Sequence, residues 1–347
     1  MERNVSNTVK PLFLGLLFVF LGCSQRSGNQ QVTIRIGYFP NITHSQALIG
    51  FSAERGDFKK IFGDSVRIDP KIFNAGPSAI EALFAGELDL AYIGPNPSIN
   101  GYVKSRGEAL RIIAGATSGG AVFVARPGVA IKTPADWSGK RVASPQLGNT
   151  QDVALRYYLV SNGLKTRENG GTVTIIPTQN PDILTLFHKG EIDGAWVPEP
   201  WGARLVKEAG GTIILDEKDL WPDRRFVTAN IIVSTKFLNQ HPFLVKQFLL
   251  THVQLTQWIN AHPSEAKSIA NAEIRRLTGK ALSAEVLENA WLRFDCTYDP
   301  IPASLFVSAD RAFVLGYLGD TKPDLSGIFD LRLLNEVLTE LNLPPVQ

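Results

Sequence analysis

Two eight-residue segments that lie 104 positions apart read almost alike: Gly86-Glu87-Leu88-Asp89-Leu90-Ala91-Tyr92-Ile93 and Gly190-Glu191-Ile192-Asp193-Gly194-Ala195-Trp196-Val197. Each opens with a glycine that stops a helix, passes an acidic turn and enters a short apolar strand carrying an aromatic. A proline-containing stretch follows each: Gly94-Pro95-Asn96-Pro97 and Pro198-Glu199-Pro200-Trp201. The pattern Gly-Glu-x-Asp is common where a helix hands over to a strand, but the shared aromatic and the shared prolines go beyond it. A chain that carries this unit twice is predicted to build two βαβ layers on one plan.

The surrounding residues fit that plan. Strands are predicted at 31–37, 66–73 and 88–93, with helices at 45–55 and 78–85 between them. A second series has strands at 141–143, 172–176 and 192–197, with helices at 151–160 and 181–189. The β-rich runs 121–126 and 228–234 flank the second series and are predicted to cross between the lobes as hinge segments. His241-Pro242 opens a long amphipathic helix with Leu244, Phe248, Leu255 and Ile259 near one face, and 331–341 reads as a last helix. The expected fold class is α/β, with lobe 1 from 31–120 and 230–347 and lobe 2 from 121–229. In an open α/β sheet a ligand sits beyond the carboxyl ends of the strands. Two such edges facing each other make a clamshell.

The N-terminus bears on location. Arg3 and Lys10 precede an apolar run from Pro11 to Gly22, too short to span a bilayer, and the pattern reads as a secretory signal over 1–22. The run ends in Leu21-Gly22-Cys23, which resembles a bacterial lipobox, with Cys23 as the lipidated residue and 23–30 as a polar tether. Of the two cysteines, that leaves Cys296 without an intramolecular partner and predicts a fold held by its core alone. A net charge of +2 with interspersed signs argues against nucleic acid as the partner. The five histidines show no metal-ligand spacing, and no nucleophile triad, paired-carboxylate or phosphate-loop motif is present.

Four stretches carry a family resemblance: Ile36-Gly37-Tyr38-Phe39-Pro40-Asn41-Ile42-Thr43-His44, Ala85-Gly86-Glu87-Leu88-Asp89-Leu90-Ala91, Trp196-Val197-Pro198-Glu199-Pro200-Trp201, and His241-Pro242 opening its helix. On these the chain resembles the substrate-binding proteins of ABC importers in the sulfonate/nitrate/taurine group. The resemblance implies a two-lobed periplasmic-binding-protein type II fold, each lobe a mixed sheet flanked by helices. It also implies a small-molecule ligand, permease subunits as partners, no cofactor, a monomer, and a place outside the cytoplasm on a lipid anchor. An enzyme is not expected, although pyrimidine-synthesising proteins share this fold.

Candidate ligand contacts follow from helix starts, where unpaired N–H groups stabilise an anion. They are Thr43, His44 and Ser45; Gly76 and Ser78; and Gly148, Asn149, Thr150 and Gln151; Asn96 and Ser118 are further candidate contacts outside these three starts. Tyr38, Phe39, Tyr92, Trp196 and Trp201 are candidate apolar walls, Tyr38 and Trp196 foremost. Glu199 would repel a simple anion beside the cleft and pair with an amine, which favours a zwitterion such as taurine or a cationic ligand. The alternative for Glu199 is a residue that is exposed or bonded within the hinge.

Overall fold

The computed structural model describes Met1–Arg3 and Gln31–Gln347. The signal, lipidation and tether assignments, Cys23 included, lie outside the described residues. From Val32 the chain runs β1 (Val32–Tyr38), α1 (Ser45–Phe51), α2 (Asp57–Phe62), β2 (Val66–Ile72), α3 (Gly76–Phe84), β3 (Leu90–Ile93), α4 (Pro95–Lys104) and β4 (Leu110–Gly119). It continues with β5 (Ala121–Ala125), β6 (Arg141–Pro145), α5 (Thr150–Ser161), β7 (Thr174–Thr178), α6 (Asn180–His188), β8 (Gly194–Pro198), α7 (Trp201–Ala209) and β9 (Thr212–Asp216). The remainder is β10 (Val227–Ser234), α8 (Thr235–Gln240), α9 (Pro242–Ala261), α10 (Pro263–Thr278), α11 (Ala284–Trp291), β11 (Phe294–Cys296), α12 (Pro302–Val314) and α13 (Arg332–Glu340). Among the described residues no helix is long and apolar enough to cross a membrane.

Two mixed sheets result. One has the order β11-β4-β10-β3-β1-β2, the other β7-β6-β8-β5-β9. In the first, β1 pairs parallel with β2 and β3, and β10 returns antiparallel on β3. In the second, β6 pairs parallel with β7 and β8, and β5 lies antiparallel on β8. The repeated segments occupy equivalent places, the turns into β3 and β8. Gly86 and Gly190 both take left-handed φ, +75° and +70°, which a glycine adopts without steric penalty. The Asp89 carboxylate accepts from Arg35 N–H at 2.8 Å, in the middle of β1, and the Asp193 carboxylate from Arg141 N–H at 2.8 Å, at the start of β6, each fastening the neighbouring parallel strand.

Both faces of each sheet are apolar, as expected where helices cover both sides. In the first sheet Ile34, Ile36 and Tyr92 pack with Phe248, Leu249 and Val253 of α9, while Ala91 and Ile93 face Ile80 of α3, Ile99 of α4 and Leu305 of α12. In the second, Val124 and Val197 meet Ile183 of α6 and Leu205 of α7, while Phe123 and Trp196 meet Leu155 and Leu159 of α5.

Three expectations are corrected. The runs 121–126 and 228–234 are not crossings: β5 lies wholly in the second sheet and β10 wholly in the first. The chain passes between sheets at Gly119-Gly120, both at positive φ (+74° and +80°), and again through 217–226. The interiors of β5 and β10 have their backbone groups committed to ladders, whereas at the junction Gly119, the last residue of β4, and Gly120 take the left-handed φ of the turn without steric penalty. The first-sheet residues therefore resume at Val227 rather than 230. Finally, the helix read over 45–55 ends at Phe51 and α2 begins afresh at Asp57, while the proline-rich 94–97 opens α4, a use of Pro at the first helical turn.

Candidate interlobe binding site

The carboxyl ends of β1, β2 and β3 face those of β6, β7 and β8, and the segments that follow each strand meet. Two glycines set how closely. A Cβ on Gly76, at the start of α3, would lie 2.3 Å from Pro97 Cγ and 3.3 Å from Asn149 Oδ1. A Cβ on Gly94, just ahead of α4, would lie 2.3 Å from Thr150 Oγ1 at the start of α5. Real side chains do not approach to 2.3 Å, so only glycine lets the three helix starts converge. At the crossing, a Cβ on Gly120 would lie 3.3 Å from Thr43 Cγ2, which brings the turn ahead of α1 to the same region.

Side chains bridge the facing edges. Trp201 Nε1 donates to Asn41 Oδ1 at 3.0 Å, and Asn74 Nδ2 donates to Gln179 Oε1 at 2.8 Å. A cavity of about 290 Å³ lies between Pro40, Asn41 and Asn74 on one side and Asn180, Pro181, Pro200 and Trp201 on the other, closed by Ile274, Thr278 and 280–282. A second, of about 470 Å³, lies between 72–75 with Ser78 and Gln146, 177–179 and Asp182. Asn74 and Gln179, joined to each other, separate the two. The charged groups at the rim are paired: Arg204 holds Glu208 at 2.8 Å, and Lys280 reaches Glu208 at 3.3 Å. Thr150 Oγ1 and Asn180 Oδ1 are buried without a protein hydrogen-bond partner, a state that disfavours the fold unless a further group satisfies them.

The predicted contacts divide into two sets. Thr43, Gly76, Asn149 and Thr150 come to the convergence point, and His44 is buried beside it against Phe39 and Tyr92. Ser78 lines the second cavity, with Oγ donating to Ala75 O at 2.9 Å. Asn96 is buried at the start of α4 and donates to Ser308 O at 3.3 Å; Ser118 and Gln151 are buried near the crossing and at the start of α5. Ser45 is turned back on its own turn, donating to Ile42 O at 2.5 Å. Gly148, at φ +75°, donates its N–H to Asp152 Oδ2 at 2.9 Å. His44 is neutral: burial lowers its pKa to about 3. Its Nδ1 accepts from Phe39 N–H at 3.2 Å, which places the ring proton on Nε2, and the ring stacks on Phe39 at 4.5 Å.

Three side chains are elsewhere. The Tyr38 ring stacks on Phe51 at 5.1 Å within the α9-side core. Trp196 is fully buried behind the second sheet, donating Nε1 to Glu217 Oε2 at 2.7 Å. Glu199 is fully buried at the crossing: its N–H donates to Gly120 O at 2.8 Å, Oε2 accepts from Ala203 N–H at 2.9 Å in the first turn of α7, and Oε1 lies 3.6 Å from Arg293 Nη1. Burial raises its pKa to about 7. It bonds within the hinge and does not border either cavity. The other aromatics also sort: Tyr92 bonds His252 Nδ1 at 3.0 Å in the core, and Trp201 is the aromatic on the cavity wall. The cavity residues Asn41, Asn74, Gln179 and Asn180 were not singled out from sequence, although each follows the end of a parallel strand, the one signal that could have found them.

Comparison with known proteins places this geometry. The sequence pattern of the NMT1-like family matches residues 27–274. The chain belongs to the NMT1-like family. A Brucella abortus relative, named only as a binding protein, is 25% identical over 286 residues, covering 80% of this chain and 84% of its own. A Bacillus subtilis relative whose name assigns it aliphatic sulfonates is 25% identical over 340 residues, covering 95% and 96%. The solved alkanesulfonate-binding protein SsuA of Xanthomonas axonopodis, bound to MOPS, superposes with a TM-score of 0.70 at 19% identity, covering 85% of this chain and 97% of that one. This NMT1-like chain thus has the type II periplasmic-binding-protein fold and resembles substrate-binding proteins of the sulfonate/nitrate/taurine group of ABC importers.

Proposed function

We propose that this protein is the extracytoplasmic solute-binding lipoprotein of an ABC import system, anchored through Cys23 and working as a monomer that hands its cargo to permease subunits. It binds rather than catalyses. The ligand is a small anion or zwitterion, an aliphatic sulfonate or taurine, taken between the two sheets by closure about Gly119-Gly120 and 217–226. The observation that carries this reading is the convergence of the starts of α3, α4 and α5 from opposite sheets. The start of α5 offers the unpaired N–H groups of a helix's first turn, the start of α3 those of Gly76 and Ser78, and the start of α4 that of Asn96 alone, since Pro77, Pro95 and Pro97 carry no N–H; such groups hold an oxyanion without a basic side chain. The buried, unpartnered Thr150 Oγ1 adds a hydroxyl donor there.

A second reading has support from the cavity wall. Asn41, Asn74 and Asn180 beside Trp201 form an amide-and-aromatic lining whose rim cations are already paired. That chemistry suits a flat nitrogenous ligand of the pyrimidine type. The displacement of Glu199 into the hinge removes the main argument for a cationic one.

Melting temperature against taurine, hexanesulfonate, nitrate, bicarbonate and amino-pyrimidines separates these. A ligand at 100 times its dissociation constant adds about 2.7 kcal/mol, a rise of several degrees. A rise with a sulfonate supports the first reading, a rise with pyrimidines alone supports the second, and no rise across the panel contradicts both.

A further inference from the structure

Asp152 organises the loop that leads into α5. Its carboxylate is fully buried and accepts from Ser144 Oγ at 2.7 Å, at the end of β6, and from Gly148 N–H at 2.9 Å, in the loop. Arg156 Nε, one turn along the helix, donates to both oxygens at 3.1 Å. Strand end, loop and helix are thereby tied to one group, and the residues so placed, Asn149 and Thr150, are those that meet Gly76 and Gly94.

The fourth partner comes from the other side of the interface. Tyr317 OH donates to Asp152 Oδ2 at 3.0 Å. Tyr317 follows α12, which packs with the first sheet, and it is held in a tight turn. Gly316 takes φ +78° and donates to Phe313 O, and Tyr317 N–H donates to Ala312 O at 3.0 Å, the paired bonds of a Schellman helix end. Burial and the facing Asp152 raise the pKa of the phenol, so it remains a donor. Helix α12 makes a second grip nearby: the Arg311 guanidinium sits 3.9 Å from the Trp221 ring centre and 4.9 Å from that of Tyr157 on α5.

We infer that Tyr317 is a positioning residue for ligand binding. It touches neither cavity. Its hydrogen bond to Asp152 holds the 146–150 loop in shape while the two sheets are together, and so ties the order of the loop to closure. A hydrogen bond to a buried carboxylate is among the stronger kinds. Its loss favours both the separated arrangement and a loosened loop. The effect on ligand rests on the function proposed above; the effect on the loop does not.

The test compares wild type with Tyr317→Phe, which keeps the ring and removes the donor, by hydrogen exchange of the ligand-free protein. Protection of amides at 147–153 is expected to fall by about tenfold, while amides at 76–82 in α3 stay within about twofold. With taurine or hexanesulfonate as probe, dissociation should quicken by about tenfold while association stays within about twofold. Unchanged exchange at 147–153, or an equal rise in both segments, overturns the inference, the second because it reports only global weakening. If neither probe binds wild type, the sulfonate reading fails by itself and the exchange result still decides the role of Tyr317.

Discussion

The two repeated segments can be compared atom by atom. Up to their fourth residue they do the same thing: a left-handed glycine ends α3 or α6, and an aspartate accepts from a backbone N–H of β1 or β6. Beyond that they part. Tyr92 of the first bonds a neutral histidine, His252, whose pKa burial lowers to about 4. Trp196 of the second bonds a carboxyl, Glu217, whose pKa burial raises to about 7. The first then gives Gly94, which admits Thr150 from the facing edge; the second gives Glu199, which stays in the hinge, and Trp201, which reaches Asn41. The lesson is that the duplicated part is scaffold, and the division of labour in the cleft begins where the likeness stops.

The largest expected effect separates the two aromatics. Trp196→Phe leaves Glu217 with only the longer bond from Trp221 Nε1, at 3.4 Å, and should cost about 3 kcal/mol, whereas Tyr92→Phe should cost about 1 kcal/mol. Urea unfolding of both variants measures this, and equal losses would erase the distinction. Next comes the hinge carboxyl. Glu199 has a folded pKa above its unfolded value, so the native state binds the extra proton. Its burial is therefore neutral to stability at low pH and increasingly unfavourable as pH rises from about 4.3 through 7. Glu199→Gln should gain on wild type across that window, by about 3–4 kcal/mol at most; unfolding midpoints at pH 5 and pH 8 test it, and a constant difference would contradict it. The smallest effect concerns the shared part. Asp89→Asn and Asp193→Asn should each cost about 1–2 kcal/mol and agree within about 0.5 kcal/mol; a wide gap in their melting curves would mean that the repeats are not equivalent even as scaffold.

Legibility followed the same division. The helix stops, the acidic turns and the parallel strands are local chemistry, so the two-sheet plan could be read from residues 86–93 and 190–197. The helix starts were legible for the same reason: Gly76 and Thr150 open α3 and α5. The aromatics were not. Where helices cover both faces of a sheet, every position of a strand is apolar, and alternation no longer says which face a ring takes. Trp196 and Tyr38 therefore read as cleft walls although they are core. The destination of Glu199 was decided by an amide four residues ahead and an arginine 94 positions away, neither visible as a motif. The crossing was misplaced because β5 and β10 have strong strand composition, while the Gly119-Gly120 pair that turns the chain carries no hydrophobic pattern.

The most direct test of the account is calorimetric titration of hexanesulfonate and taurine into wild type and Gly94→Val side by side. The valine would intrude on Thr150 where the helix starts converge, far from the scaffold bonds of Asp89 and Asp193. The account predicts saturable one-to-one binding of at least one of the two by wild type, and loss of at least a hundredfold in affinity in the variant, about 2.7 kcal/mol. Binding of equal strength by both proteins would contradict the site, and no binding of either compound by wild type would contradict the ligand class.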